Sequence, residues 1–172
     1  EGNANAFRLL THQFSGRRRG GFVMTYSTLA AVVKYPFAST LAGNHRKFGF
    51  FCSEASTFER IADEFGLIRL SAPGAPLRYA RHPLVYLMEA ADDICYEIMD
   101  IEDSHKLKIL SFDETTKLLL SFFDEDTQAD IIRRLKEEGV TDENEQIVYM
   151  RACVVGKLEN ECVQAFVDHE DE

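Results

Sequence analysis

Three observations predict an all-α protein. Apolar residues recur at three- and four-residue spacing through most of the 172 residues, the period of a helix with one buried face. No stretch alternates apolar and polar residues for long enough to read as a strand. The 4 prolines and most of the 10 glycines fall between the periodic stretches rather than inside them. With 45% hydrophobic and 28% charged residues the chain has matter for a sizeable core, which excludes disordered, collagen-like and low-complexity classes.

The elements follow in order. Residues 3–13 form a short helix with Phe7 and Leu10 on one face. A loop, FSGRRRGG, comes next, punctuated by Gly16, Gly20 and Gly21. Thr25 caps a helix through Leu29, Val32 and Val33, which Pro36 ends at about Tyr35. Residues 37–49 are loop. Ser53 caps a helix carrying Phe58, Ile61, Ala62 and Phe65, closed by Gly66. After a connector with Pro73 and Pro76, Pro83 occupies the first position of a long helix to about Asp103. Helices near 113–122 and 126–138 follow, the second stopped by Gly139, with Asp113 and Asp124 or Asp126 as caps. A final helix runs from about 143 without a stop signal, and with no Met at the start both ends read as cut. The length suggests one domain, or part of a larger one. No apolar run is long enough to span a bilayer, so no membrane partner is expected. Cys52, Cys95, Cys153 and Cys162 are far apart in apolar stretches and read as small buried hydrophobes in a reducing compartment, with the cytoplasm as location.

The net charge of −10 is unevenly spread. Residues 1–50 hold seven Lys/Arg and a single acid, for +6, leaving −16 for the rest. The helix within HPLVYLMEAADDICYEIMDIED is also unusual. At about 100° per residue, Val85, Met88, Cys95, Tyr96 and Met99 all lie within about 60° of Asp92. Leu87, Ala91, Ile94 and Ile98 occupy the opposite arc, so the helix is apolar on two sides and expected to be buried, with Asp93 and Glu97 solvated between. Asp92, Glu89 and Asp100 cluster around Tyr96. Such acids need a metal, or cations from neighbouring helices.

Four segments, in order, carry a resemblance: EGNANAFRLLT (1–11), MTYSTLAAVVKYP (24–36), KFGFF followed by SE (47–54), and RHPLVYLMEAADDICYEIMDIED (81–103). Together they resemble the HD-superfamily deoxynucleoside triphosphate triphosphohydrolases, the dGTPase-like family. The resemblance implies an HD-domain-like helical bundle that hydrolyses a dNTP to deoxynucleoside and tripolyphosphate with a divalent metal, Mn²⁺ or Mg²⁺. It implies that Asp92 is a metal ligand, that Asp100 bonds the sugar 3′-hydroxyl, and that Tyr96 packs where a 2′-hydroxyl would sit. It implies substrate contacts, mainly to phosphate, from Asn3, Lys34, Tyr35 and Lys47. On that basis residues 1–50 are phosphate-side segments, 82–103 the metal and sugar helix, and 111–172 C-terminal helices of one domain truncated at both ends. The substrate residues of the +6 block and the acids of the remainder then read as two sides of one nucleotide site.

The departures from the family pattern are equally informative. The family's first metal His, its His-Asp pair and its catalytic His precede the EGNA segment. This chain has no His-Asp dipeptide, and His12, His45, His82, His105 and His169 match none of those roles. It is therefore expected to be inactive by itself, to retain no metal, and to hold no catalytic residue. Residue 5 is Asn where the family usually has Gln. His82 is expected to pack or cap near Pro83. Arg17, Arg18 and Arg19 in the loop 16–21 could serve nucleic acid, an effector nucleotide or a neighbouring subunit of a homo-oligomer, or simply be solvated. Two competing readings stand beside the enzyme: a helical regulatory or assembly module, and a nucleic-acid-binding helical protein.

Overall fold

Phenylalanine builds the first core. In the computed structural model, which describes residues 1–16 and 22–169, Phe7, Phe50 and Phe58 are fully enclosed in a unit formed by residues 1–89. Phe50 stacks on Phe58 at 4.6 Å, and Phe7 and Tyr79 each meet Phe58 edge-on at 5.8 Å. Burying each ring contributes about 2 kcal/mol, and the edge-on geometry adds to it. Helix α1 (Gly2–Thr11) supplies Phe7, α2 (Tyr26–Ala31) supplies Leu29 and Ala30, and α3 (Ala55–Glu64) supplies Phe58, Ile61 and Ala62.

A second unit, 90–172, has its own core of Ile98, Leu119, Ile131, Leu135, Ile147, Met150 and Val154. These come from α4 (Leu84–Lys106), α5 (Phe112–Leu120), α6 (Glu125–Glu137) and α7 (Glu143–Asp168). One carboxylate is buried in it. Glu102 is 8% exposed and pairs with Lys106 on its own helix and with Arg151 of α7. Two cations make that burial tolerable. The described chain thus divides into two compact units, each with a core of its own.

The all-α expectation holds: the described residues contain no strand, only isolated bridges at Phe37–Arg78, Ala38–Phe50 and Arg69–Tyr79. Among the described residues, no helix is long and apolar enough to cross a membrane. Thr25 caps α2 by accepting from the Thr28 N–H, and Gly66 and Gly139 take the left-handed conformation that ends α3 and α6. At α3 the Leu67 N–H reaches the Ala62 carbonyl at 2.8 Å and the Gly66 N–H reaches Asp63 at 3.2 Å, a Schellman closure. His82 does cap α4: its Nδ1 accepts from the Leu84 N–H at 3.2 Å. Pro83 stands one residue ahead of the first helical position, which is Leu84.

Several expectations are corrected. Helix α2 ends at Ala31, not Tyr35, because the Val33 N–H turns back to the Ala30 carbonyl and Pro36 bars Tyr35 from helical geometry. The loop at 37–49 contains short 3-10 turns at Ser39–Leu41 and Gly43–His45. Ser53 does not cap α3. A 3-10 turn at Cys52–Glu54 leads into the helix, and the Ser53 hydroxyl donates to Glu54 instead. Asp124 caps α6, but neither Asp113 nor Asp126 is a cap. The start of α5 belongs to Ser111, which forms a capping box with Glu114. Helix α7 runs to Asp168, and His169 Nδ1 meets the Ala165 carbonyl at 2.8 Å. The cysteines are free thiols but not buried; Cys52 and Cys95 are exposed and Cys153 and Cys162 half-buried. Cys52 opens a 3-10 turn, and Cys95, Cys153 and Cys162 lie on helices with only one covered face. The basic residues Arg17, Arg18 and Arg19 lie outside the described residues.

The capping box makes a direct prediction. Replacing Ser111 with Ala should cost about 1 kcal/mol of stability, read as a lowered midpoint of urea unfolding with an unchanged slope.

Candidate functional site

The stretch 33–35 is held by a close backbone approach. A Cβ added at Gly49 would lie 2.1 Å from the Tyr35 carbonyl oxygen and 2.5 Å from Val33 Cγ1. Only glycine fits between the two aromatic residues Phe48 and Phe50. The Gly49 N–H donates to the Phe37 carbonyl at 3.1 Å, and the Ser39 N–H to that of Phe50 at 3.0 Å. Val33 and Pro36 are buried on either side of Lys34 and Tyr35, which are half-buried. Lys34, Tyr35 and Lys47 therefore belong to two segments packed backbone against backbone.

Lys34 reaches a carboxylate. Its Nζ lies 3.1 Å from Glu89 Oε1. The same carboxylate takes the fork of Arg81, with Nη1 to Oε2 at 2.8 Å and Nη2 to Oε1 at 3.4 Å. Arg81 also lies over the Tyr86 ring, 5.8 Å from its centroid. The sequence signals that Glu89 needs a cation, but not which one. Arg81 and Gly49 are the residues that sequence reasoning misses; an Arg just ahead of the helix and a Gly flanked by Phe were the available signals.

Asn3 and Lys47 meet around Glu1. Asn3 Nδ2 donates to Glu1 Oε1 at 2.7 Å. That bond holds the Glu1 carboxyl below its ordinary range, with a smaller contribution from the Lys47 charge. Lys47 itself is exposed.

Asp92, Tyr96 and Asp100 succeed one another at four-residue spacing along α4 in the second unit. The expectation of burial on both arcs is corrected here. Ile98 is buried and Ile94 half-buried, but Asp92, Cys95, Met99 and Asp100 are exposed and Tyr96 is 67% exposed. The core of this unit fills only the Ile98 and Glu102 side. Among the described residues, Asp92 and Asp100 make no side-chain hydrogen bond or ion pair. The arc therefore presents two carboxylate acceptors around an aromatic face, a pattern suited to hydroxyl groups and to cations. Among the described residues no three His, Cys, Asp or Glu side chains group to hold a metal ion. A single carboxylate does not fit a catalytic divalent ion, which needs several protein ligands.

A helical protein with a lysine-bearing wall in one unit and an exposed acid–aromatic helix face in the other belongs to the all-α class. Its relatives narrow that class. The chain is 39% identical over 179 residues to the deoxyguanosinetriphosphate triphosphohydrolase-like protein of Pseudomonas aeruginosa (strain LESB58), covering 99% of this chain and 38% of that protein. Identity and coverage are the same with the protein of that name from Synechocystis sp.. A deoxyguanosinetriphosphate triphosphohydrolase of Serratia proteamaculans (strain 568) is 27% identical over 187 residues, covering 98% of this chain and 34% of that protein. No protein-family model matches the chain. By its relatives the chain belongs to the deoxyguanosinetriphosphate triphosphohydrolase-like family, and it spans 38% of the length of the P. aeruginosa relative.

The cap of α4 titrates. Burial pushes the His82 pKa below its ordinary value of 6.5, and the Phe65 ring meets it edge-on at 4.8 Å. The folded state thus favours the neutral ring, whose Nδ1 can accept from Leu84. A depressed pKa on a basic group means that the unfolded chain binds the proton more readily. The contribution of His82 is therefore complete above the unfolded value and is lost as the pH falls below it. Stability should drop as the pH falls below 6.5, and His82→Asn, which caps without titrating there, should flatten that part of the profile. Thermal unfolding across the pH range measures it.

Proposed function

We propose that the full-length protein is a dNTP triphosphohydrolase that converts a dNTP to deoxynucleoside and tripolyphosphate. The observation that carries this reading is the exposed face of α4, with Asp92, Tyr96 and Asp100 on successive turns. It is supported by relatives named as deoxyguanosinetriphosphate triphosphohydrolases and the like. Lys34 and Lys47 act on the phosphates as point charges, with Asn3 and Tyr35 beside them. Asp100 accepts a hydrogen bond from the 3′-hydroxyl. The Tyr96 ring occupies the space of a 2′-hydroxyl, which gives deoxyribose its preference. Asp92 is one carboxylate ligand of a divalent metal, Mn²⁺ or Mg²⁺; the other ligands and the catalytic His are not among the described residues. The 172-residue stretch by itself is therefore inactive and does not retain the metal. The working enzyme is a cytoplasmic homo-oligomer.

The test uses the full-length protein with Mn²⁺ or Mg²⁺ and each dNTP, with products followed by phosphorus NMR. Tripolyphosphate should be the first phosphate product; pyrophosphate or orthophosphate in its place would overturn the reading. In the same assay Tyr96→Ala should narrow the preference for dNTP over NTP by about tenfold or more.

A further inference from the structure

Lys34, Arg81 and Glu89 form a triad. Two cations share one carboxylate, and their side chains are only 28% and 32% exposed, with Glu89 at 20%. Both oxygens of Glu89 are engaged: Oε1 by Lys34 and Arg81, Oε2 by Arg81. The three side chains come from elements fixed in different ways. Lys34 sits on the stretch pinned at Gly49, Glu89 on α4, and Arg81 just before the His82 cap of that helix, with its guanidinium over Tyr86.

We propose that Glu89 is a positioning residue that orients the Lys34 ammonium, and that Arg81 supplies a second cation to the same phosphate group of the nucleotide. This rests on the phosphate role given to Lys34 above. The physical case lies in the opposing effects of Glu89. As a charge, it weakens the pull of the triad on an anion. As an anchor, it restricts a lysine chain of four rotatable bonds before the ligand arrives, so that less freedom is lost on binding. The fork with Arg81 fixes the anchor itself, because a guanidinium matches a carboxylate in two directions at once. In a half-buried site with both oxygens engaged, orientation outweighs the lost attraction.

The two effects predict opposite outcomes for Glu89→Gln, which removes the charge and keeps the shape. The experiment measures the Kd for inorganic tripolyphosphate and the kinetics of dNTP hydrolysis in the full-length protein. It compares wild type, Glu89→Gln, Lys34→Ala and the double variant. Glu89→Gln should weaken tripolyphosphate and raise KM by about tenfold, with kcat within about twofold, and should add little in the Lys34→Ala background. Tighter or unchanged binding in Glu89→Gln, or an equal loss in both backgrounds, would overturn the inference. Should Glu89→Gln fail to fold, Arg81→Gln decides: weaker tripolyphosphate binding supports the triad and unchanged binding overturns it. Coupled binding without release of tripolyphosphate from any dNTP would overturn the proposed activity alone; hydrolysis with additive losses would overturn only the positioning role.

Discussion

The approach of Gly49 to the Tyr35 carbonyl is the constraint on which the lysine wall depends. A backbone-to-backbone contact leaves no room for a side chain, and it brings two distant stretches of sequence into one register. Without it, Lys34 and Tyr35 would lie on a loop following a short helix. With it, they lie on a segment bonded to the turn at 37–39 and backed by the aromatic core of Phe7, Phe50 and Phe58. The core stabilises the unit; the glycine decides where its polar residues sit.

Helix α4 shows a different economy. Its sequence is apolar on two arcs, and its own unit covers only one of them. Ile98 and Glu102 are enclosed, while Cys95, Tyr96 and Met99 are open. An acid such as Glu102 is tolerated inside because Lys106 and Arg151 meet it. Asp92 and Asp100 need no such partners where they are, because water reaches them. Their oxygens stay open to a partner, whereas those of Glu102 are already engaged.

Much of the fold was legible in the sequence. Thr25, Gly66, Pro83, Asp124 and Gly139 mark helix ends by local chemistry, and local chemistry is what sequence carries. The errors share a cause. Ser53, Asp113 and Asp126 are capable caps that lost to neighbours, and competition between adjacent candidates is settled by the tertiary path of the chain. The expectation of a buried helix from Pro83 to about Asp103 was half right, since periodicity identifies an apolar arc but not what covers it. In the site, the need of Glu89 for a cation was readable, yet its partners were not, because Lys34 is distant in sequence and Arg81 looks like an ordinary residue before a helix.

The most direct test of the account is Gly49→Ala, followed by amide hydrogen exchange and tripolyphosphate affinity. Gly49→Ala should speed exchange at Ser39 and Tyr79, whose N–H groups bond Phe50 and Pro36. It should also cost about 2 kcal/mol in stability from the forced separation, and weaken tripolyphosphate binding while the helical circular dichroism persists. Unchanged exchange at these amides together with wild-type affinity would contradict it, because Lys34 would then owe its position to something other than the glycine contact.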